Sequence, residues 1–324
     1  MQKRLFSIIL TIILTGSFLK PVMAKTYKIG VTQIISHPAI DAARKGFYDQ
    51  MTAEGFSKGK NVVYDFLNAE GDMTLVASIP KKFVTDKKDL IYSISTVSTQ
   101  GAVAAAKGTK IPIVFSALTD PVAAKVVDSW DKPGGTCTGA SDWVEISPQL
   151  KLFKEILPGI KRLGTIYNAG EANSVVQIKE LKKAAAGYGI TKIIEATAAT
   201  TADVYAAANS LIGRVDAIWV PTDSTVVSSL GSVLKICEAN KIPLFAAEGS
   251  IVEKGAICAV GFSYYELGKM AGKIAVRVLK GENPGDIPVA KAPLTDLFIN
   301  LSAAKRMGVD IPQSVLNRAT KTIK

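Results

Sequence analysis

Along most of the chain, short apolar runs of β type alternate with stretches whose apolar residues recur at helical spacing. Ile29 to Thr32 reads as a strand. Ile40, Ala43, Phe47 and Met51 then repeat along one helix face, with Pro38 suited to the first turn. Val62 to Leu67 and Leu90 to Ile94 are further strands, and Ile111 to Phe115 is another, with Pro112 near its start. Later come a helix around Pro148 to Leu157, a strand at Ile257 to Val260 and a helix from Tyr265 to Leu279. Gly281-Glu282-Asn283-Pro284-Gly285 ends that helix, and Leu297 to Leu301 forms a last strand. This βαβα rhythm predicts an α/β fold built on doubly wound parallel sheets.

The second half echoes the first. Ile29-Gly30 resembles Leu163-Gly164, Asp89-Leu90-Ile91-Tyr92 resembles Asp216-Ala217-Ile218-Trp219, and Lys110-Ile111-Pro112 returns as Lys241-Ile242-Pro243. Three matches in one order at nearly one offset predict two similar α/β lobes. The boundary falls near Thr138 to Trp143, after the turn-rich Lys132-Pro133-Gly134-Gly135. The alternation does not say which lobe the late elements join.

Composition excludes whole classes. Of 324 residues, 48% are hydrophobic and 21% charged, which is ordinary globular usage and not that of a disordered or fibrous chain. Residues 1–24 pair a basic start, Lys3-Arg4, with an apolar run from Leu5 to Leu14 and close on Val22-Met23-Ala24. This is the pattern of a cleavable signal peptide cut after Ala24, and its apolar run is short for a membrane span. No Cys follows that run to carry an acyl anchor. Export to the periplasm of a soluble product is expected. Losing Lys3, Arg4 and Lys20 takes the net charge from +11 to +8. The remaining Lys and Arg are scattered, with no arginine stripe or interleaved aromatics, so they read as a solvated surface and no nucleic acid is expected.

In open α/β sheets ligands bind beyond the carboxyl ends of the strands. Gln33 and His37, Ser95 and Thr96, and Ser116, Thr119 and Asp120 follow the strands of the first lobe. Asn168, Glu171, Asn173 and Ser174, then Thr222 and Asp223, then Glu248 and Ser250 follow those of the second. These six loops carry hydroxyls, amides and carboxylates and no Lys or Arg. Such a cleft suits a small zwitterion: its carboxylate on N–H groups at helix N-termini, its ammonium on Asp223, Glu248 or Asp120. It does not suit phosphate, sulfate or a dicarboxylate. Taken one loop at a time, the same residues also read as helix caps and turn formers.

One histidine, His37, excludes a His-rich zinc site; it reads equally as a ligand contact and as the cap of the helix opening at Pro38. Cys137, Cys237 and Cys258 show no C-x-x-C spacing; Cys237 and Cys258 read as small core hydrophobes, with a disulfide between two of the three left open. No G-x-G-x-x-G, P-loop or G-x-S-x-G motif occurs, so neither nucleotide binding nor hydrolysis is indicated and no cofactor is expected.

At these loops the sequence resembles the periplasmic substrate-binding proteins of ABC transporters, of the tryptophan/tyrosine type. The matching stretches are Gly30-Val31-Thr32-Gln33 with His37-Pro38-Ala39-Ile40-Asp41-Ala42, Phe115 to Pro121, Tyr167-Asn168 with Glu171-Ala172-Asn173-Ser174, Pro221-Thr222-Asp223, and Glu248-Gly249-Ser250 followed by Tyr264 to Gly268. The resemblance implies a type I periplasmic-binding fold whose lobes are joined by three crossovers and close over ligand. It implies one lobe of residues 25–141 plus 262–291 and another of 142–261 plus 292–324. It further implies an L-aromatic amino acid as ligand, a membrane ABC permease as partner, no enzymatic activity and a monomer. On that view Asp223 and Glu248 face the ligand's amino end, while Ser95, Thr96, Ser116, Thr119, Asn173 and Ser174 ring its carboxylate and backbone. Where a Thr-Pro-Thr-Ala-Gln run is expected, this chain has Thr96-Val97-Ser98-Thr99-Gln100, which leaves loop shape and ligand identity open. Rival readings are the same fold holding a nucleobase or thiamine-like heterocycle, a sensory protein that presents ligand without transport, and, last, an exported enzyme.

Overall fold

The computed structural model describes residues 25–324, so the leader expected at 1–24 lies outside the described residues. The chain opens with β1 (Tyr27–Gln33), α1 (Pro38–Ala53), β2 (Val62–Asn68), α2 (Met73–Thr85), β3 (Leu90–Ile94), α3 (Thr96–Ala106), β4 (Ile113–Ser116) and β5 (Cys137–Ser141). It continues through α4 (Ile146–Ile156), β6 (Arg162–Tyr167), α5 (Ala172–Ala185), β7 (Lys192–Thr197), α6 (Val204–Asn209), β8 (Ala217–Val220), α7 (Ser224–Ser228), α8 (Leu230–Asn240), β9 (Leu244–Ala246), α9 (Gly249–Lys254) and β10 (Cys258–Gly261). The last elements are α10 (Tyr264–Leu279), β11 (Ala290–Lys291), β12 (Asp296–Asn300), α11 (Leu301–Met307), α12 (Gln313–Leu316) and β13 (Lys321–Ile323).

Two sheets result, ordered β2-β1-β3-β4-β5-β11 and β7-β6-β8-β9-β10-β12-β13. The first five strands of each follow the same 2-1-3-4-5 order, and all pair in parallel except β10 with β12. This is the predicted fold class, two doubly wound lobes. The sequence echoes fall on equivalent register positions: Ile29 sits opposite Leu90, and Leu163 opposite Ala217. Asp89 receives the Lys28 N–H at 2.8 Å, and Asp216 receives the Arg162 N–H at 2.8 Å, so one carboxylate pins the start of the first-numbered strand in each lobe. Both Pro112 and Pro243 lie just outside their strands. Proline lacks the N–H a ladder needs, but each carbonyl still accepts, from Ile91 at 2.9 Å and Ile218 at 2.8 Å. That shortens the expected Ile111 strand to begin at Ile113.

The chain passes between the sheets three times: from β5 into α4, from β10 into α10, and from β11 into β12. α10 packs on α1 through glycines. A Cβ at Gly46 would stand 2.0 Å from the Tyr265 carbonyl oxygen, and one at Gly268 1.9 Å from that of Ala43. Burial of Phe47, Leu267, Ala271 and Ala275 completes that seam, with Phe47 stacked on Tyr92 at a centroid distance of 3.7 Å. The second lobe has one continuous core around Phe153, Trp219 and Phe245. All three cysteines are buried free thiols, which closes the disulfide alternative. No helix among the described residues is long and apolar enough to cross a membrane.

Candidate functional site

Because both sheets share one strand order, their switch points lie between β1 and β3 in one lobe and between β6 and β8 in the other, where open α/β sheets place ligands. A narrow cavity lies there, between the lobes. His37 follows β1, Ser95 and Thr96 follow β3, Ala117 and Thr119 follow β4, and Asp142 follows β5. From the other lobe come Asn173, Thr222, Asp223, Ser224, Val227 and Glu248, with Tyr264 from the second crossing. Ile40 and Val97 add apolar wall, and no Lys or Arg lines the cavity. Thr119 and Thr222 meet across it, hydroxyl to hydroxyl, at 3.3 Å.

Eight sequence-predicted residues therefore line one cavity: His37, Ser95, Thr96, Thr119, Asn173, Thr222, Asp223 and Glu248. Six do not, and each has a local task. The Gln33 side chain donates to Asp41 at 3.2 Å and accepts from Arg44. The Ser116 hydroxyl bonds the Tyr92 phenol at 2.6 Å inside the core. Asp120 takes the N–H groups of Val122 and Ala123, both at 3.0 Å, as a turn former. Asn168 holds Thr225 at 2.9 Å and borders a neighbouring groove. Ser174 donates to Asp223 at 2.6 Å. Gly249 is small because Phe298 covers it: a Cβ there would lie 2.6 Å from that ring.

The residues that sequence reasoning did not select as site members include Asp142, Ser224 and Tyr264. Asp142 lies just beyond a strand of small and polar residues that gave no apolar run, so its position after a strand end was not legible. The Tyr264 hydroxyl donates to Asp142 Oδ2 at 2.9 Å, and both residues are buried.

Electrostatics set this cavity apart. Desolvation pushes the Glu248 carboxyl up to about 7, although Ser250 donates to it through its N–H at 3.3 Å and its hydroxyl at 2.6 Å. Desolvation, and then the nearby Glu171 carboxyl, raise Asp223 to about 7. Asp142 is raised by burial, against the favourable pull of the Thr119 and Tyr264 hydroxyls. Burial lowers His37 to about 4, with Lys254 adding to the effect. Asp223 spends both oxygens locally, on the N–H groups of Asn168 at 2.7 Å and Val226 at 2.9 Å and on Ser174. It is thus less free to meet an ammonium than its position suggests.

Buried polar atoms normally find partners. Four of those that have none belong to residues lining this cavity: His37 Nδ1, Thr96 Oγ1, Asp142 Oδ1 and Asn173 Oδ1. Ser95 and Ala117, at the ends of β3 and β4, hold positive φ of 94° and 53°, a strain that clusters at binding sites. Among the described residues no three His, Cys, Asp or Glu groups come together as a metal site. Separated carboxyls, unpaired acceptors and helix N-termini make the cavity suited to an organic molecule bearing a cationic donor.

Comparison with known proteins adds three relatives and a family. Residues 28–323 match the family described as ABC transporter substrate binding protein. A tyrosine-binding protein of Clostridioides difficile is 42% identical over 87% of this chain and 81% of its own length. A Streptococcus pneumoniae ABC domain in complex with L-Trp is 35% identical, covers 92% of this chain and 100% of its own, and superposes with a TM-score of 0.89. The ligand-free, open structure of a Clostridium difficile substrate binding protein with adhesive properties is 42% identical, covers 92% of this chain and 99% of its own, and gives a TM-score of 0.70.

Proposed function

The chain belongs to the ABC transporter substrate binding proteins, and we propose that it binds an L-aromatic amino acid between its lobes and delivers it to an ABC permease from the periplasm. Substrate-binding proteins of this family take a small molecule and work outside the cytoplasm with a permease. The residues 25–141 plus 262–291 and 142–261 plus 292–324 form the two lobes of this reading, acting as a monomer without enzymatic turnover.

The observation that carries it is the set of unpaired acceptors and desolvated carboxyls in a cavity with no Lys or Arg. An ammonium supplies the missing donors, and a ligand carboxylate meets the N-terminus of α3 at Ser95 and Thr96. Ile40, Val97, Val227 and Tyr264 offer the apolar walls an aromatic side chain needs. The relatives named for tyrosine and crystallised with L-Trp support the aromatic class. Fold similarity also runs against sequence identity: the L-Trp complex, at 35%, superposes better than the open structure at 42%. This supports a lobe disposition like that of the ligand-bound relative, consistent with the Thr119–Thr222 bridge.

The test is a thermal-shift panel on refolded, ligand-stripped protein with the L-amino acids, nucleobases and thiamine. A ligand at about 100 times its dissociation constant adds roughly 2.7 kcal/mol. Stabilisation by Trp, Tyr or Phe is expected, and Asp223→Asn with Glu248→Gln is expected to weaken it. A response to heterocycles alone, or to none of these, overturns the amino-acid reading.

A further inference from the structure

We propose that Asp142 is the group that meets the ligand's ammonium and ties its arrival to the closed arrangement of the lobes. The proposal rests on the amino-acid reading above and adds a residue to it. Asp142 is only 4% exposed and stands at the first crossing between the sheets. Its Oδ2 accepts from the Tyr264 hydroxyl at 2.9 Å, and Tyr264 opens α10 directly after the second crossing. Its neighbour Ser141 accepts at its carbonyl from Ala292 N–H at 3.3 Å, on the third crossing. The Ser141 hydroxyl donates to the Thr119 carbonyl at 2.7 Å, and the Thr119 side chain reaches Thr222 of the opposite lobe. All three connections between the lobes thus converge on two adjacent residues.

The carboxyls of the cavity are not equivalent. Both Glu248 oxygens receive Ser250, and both Asp223 oxygens receive donors from their own lobe. Asp142 alone keeps an oxygen, Oδ1, that is buried with no hydrogen bond, the nearby Thr119 hydroxyl being paired with Thr222. A buried carboxylate oxygen left so is costly unless the group takes a proton or a cationic donor meets it, and the cavity wall supplies no Lys or Arg. With Oδ2 fixed to Tyr264, Oδ1 is aimed by the hinge itself. A ligand bonded to Oδ1 therefore favours the hinge geometry in which Oδ2 reaches Tyr264, and this is the differential affinity that a closing equilibrium requires.

Two ligand pairs test it by calorimetry on the ligand-stripped protein: L-tyrosine against 3-(4-hydroxyphenyl)propanoate, and L-tryptophan against indole-3-propanoate. Asp142→Asn is expected to weaken the amino acids on the order of 100-fold while the deamino acids stay within about threefold. Tyr264→Phe, which deletes one hydroxyl and carries the test should Asp142→Asn not fold, is expected to weaken the amino acids about tenfold with the same selectivity. Small-angle scattering should show less ligand-induced compaction in Tyr264→Phe than in wild type. Equal losses for amino and deamino ligands, or wild-type behaviour in both variants, overturn the role of Asp142 and leave the receptor intact. Wild-type protein that binds no aromatic amino acid overturns the underlying reading as well.

Discussion

A methyl group at Gly268 would sit 1.9 Å from the Ala43 carbonyl oxygen, and neither helix backbone can retreat without opening the seam between α1 and α10. Gly268→Ala is therefore expected to cost about 3 kcal/mol, at the upper end for overpacked sites. Urea unfolding checks it, and a loss under about 0.5 kcal/mol, the scale of ordinary surface changes, would mean the seam is plastic. His37 offers a second residue-scale reading because it is the sole histidine. Its folded pKa, lowered to about 4, lies below the unfolded value. Its contribution to stability is thus present above about 6.5 and lost as pH falls toward 4. A single imidazole resonance that titrates near 6.5 in the folded protein would contradict the burial. At this scale the polar character of the site was legible in the sequence, since hydroxyls, amides and acids cluster after strands. The direction of each side chain was not: Gln33 and Ser116 lie as close to strand ends as Thr96, yet one serves Asp41 and Arg44 and the other Tyr92.

At the scale of elements, the clearest dependence is that of α7, a helix of five residues that gives the cavity Ser224 and Val227. It cannot hold itself by propagation at that length. Glu171, from the loop before α5, accepts the N–H groups of Ser224 and Thr225, both at 3.0 Å, and the Thr225 hydroxyl at 2.9 Å, while also holding Asn173 at 3.1 Å. Glu171→Ala leaves these donors unmet and is expected to cost about 2 kcal/mol or more. Hydrogen exchange should rise locally at Ser224 and Thr225, and unchanged protection there would show that α7 does not depend on Glu171. The elements visible in the sequence were those with long apolar periodicity or a repeated signal, such as α1, α10 and the paired Asp89 and Asp216 strand anchors. β5 escaped notice because Cys-Thr-Gly-Ala-Ser has no apolar run, although every one of its residues is buried. β11 and β13 are two and three residues long and exist only through their partners.

At the scale of the whole molecule, the two-lobed class follows from repetition that a single sequence displays, whereas the cleft is a property of how the lobes meet and leaves no periodic trace. Burial in that cleft has a pH signature. Glu248 and Asp223 are raised to about 7 in the folded protein, both chiefly by burial, with Glu171 beside Asp223 and Asp142 beside Glu248 adding and Lys254 opposing at Glu248. Burial raises Asp142 too, while His37 is neutral near pH 7. Because the folded values exceed the unfolded ones, these carboxyls favour the ligand-free fold fully at acid pH. That contribution fades as pH climbs from about 4 through about 7. An ammonium in the cleft reverses the balance, since it favours the charged carboxylates and so expels protons. Affinity for the proposed amino-acid ligand should therefore rise between about pH 5 and 8, by up to about tenfold per pH unit for each proton released. The stabilisation conferred by ligand should grow over the same interval. Calorimetry near pH 6.5 in two buffers of different ionisation enthalpy counts the protons directly. A net release is expected, and it should shrink for the deamino acids, which bring no ammonium. Affinity that is flat from pH 5 to 8, with no dependence on buffer, would mean that the carboxyls are already charged in the empty cleft. The ligand's ammonium would then meet carboxylates that carry their charge before it arrives, and burial would not have raised Glu248 and Asp223 as far as about 7.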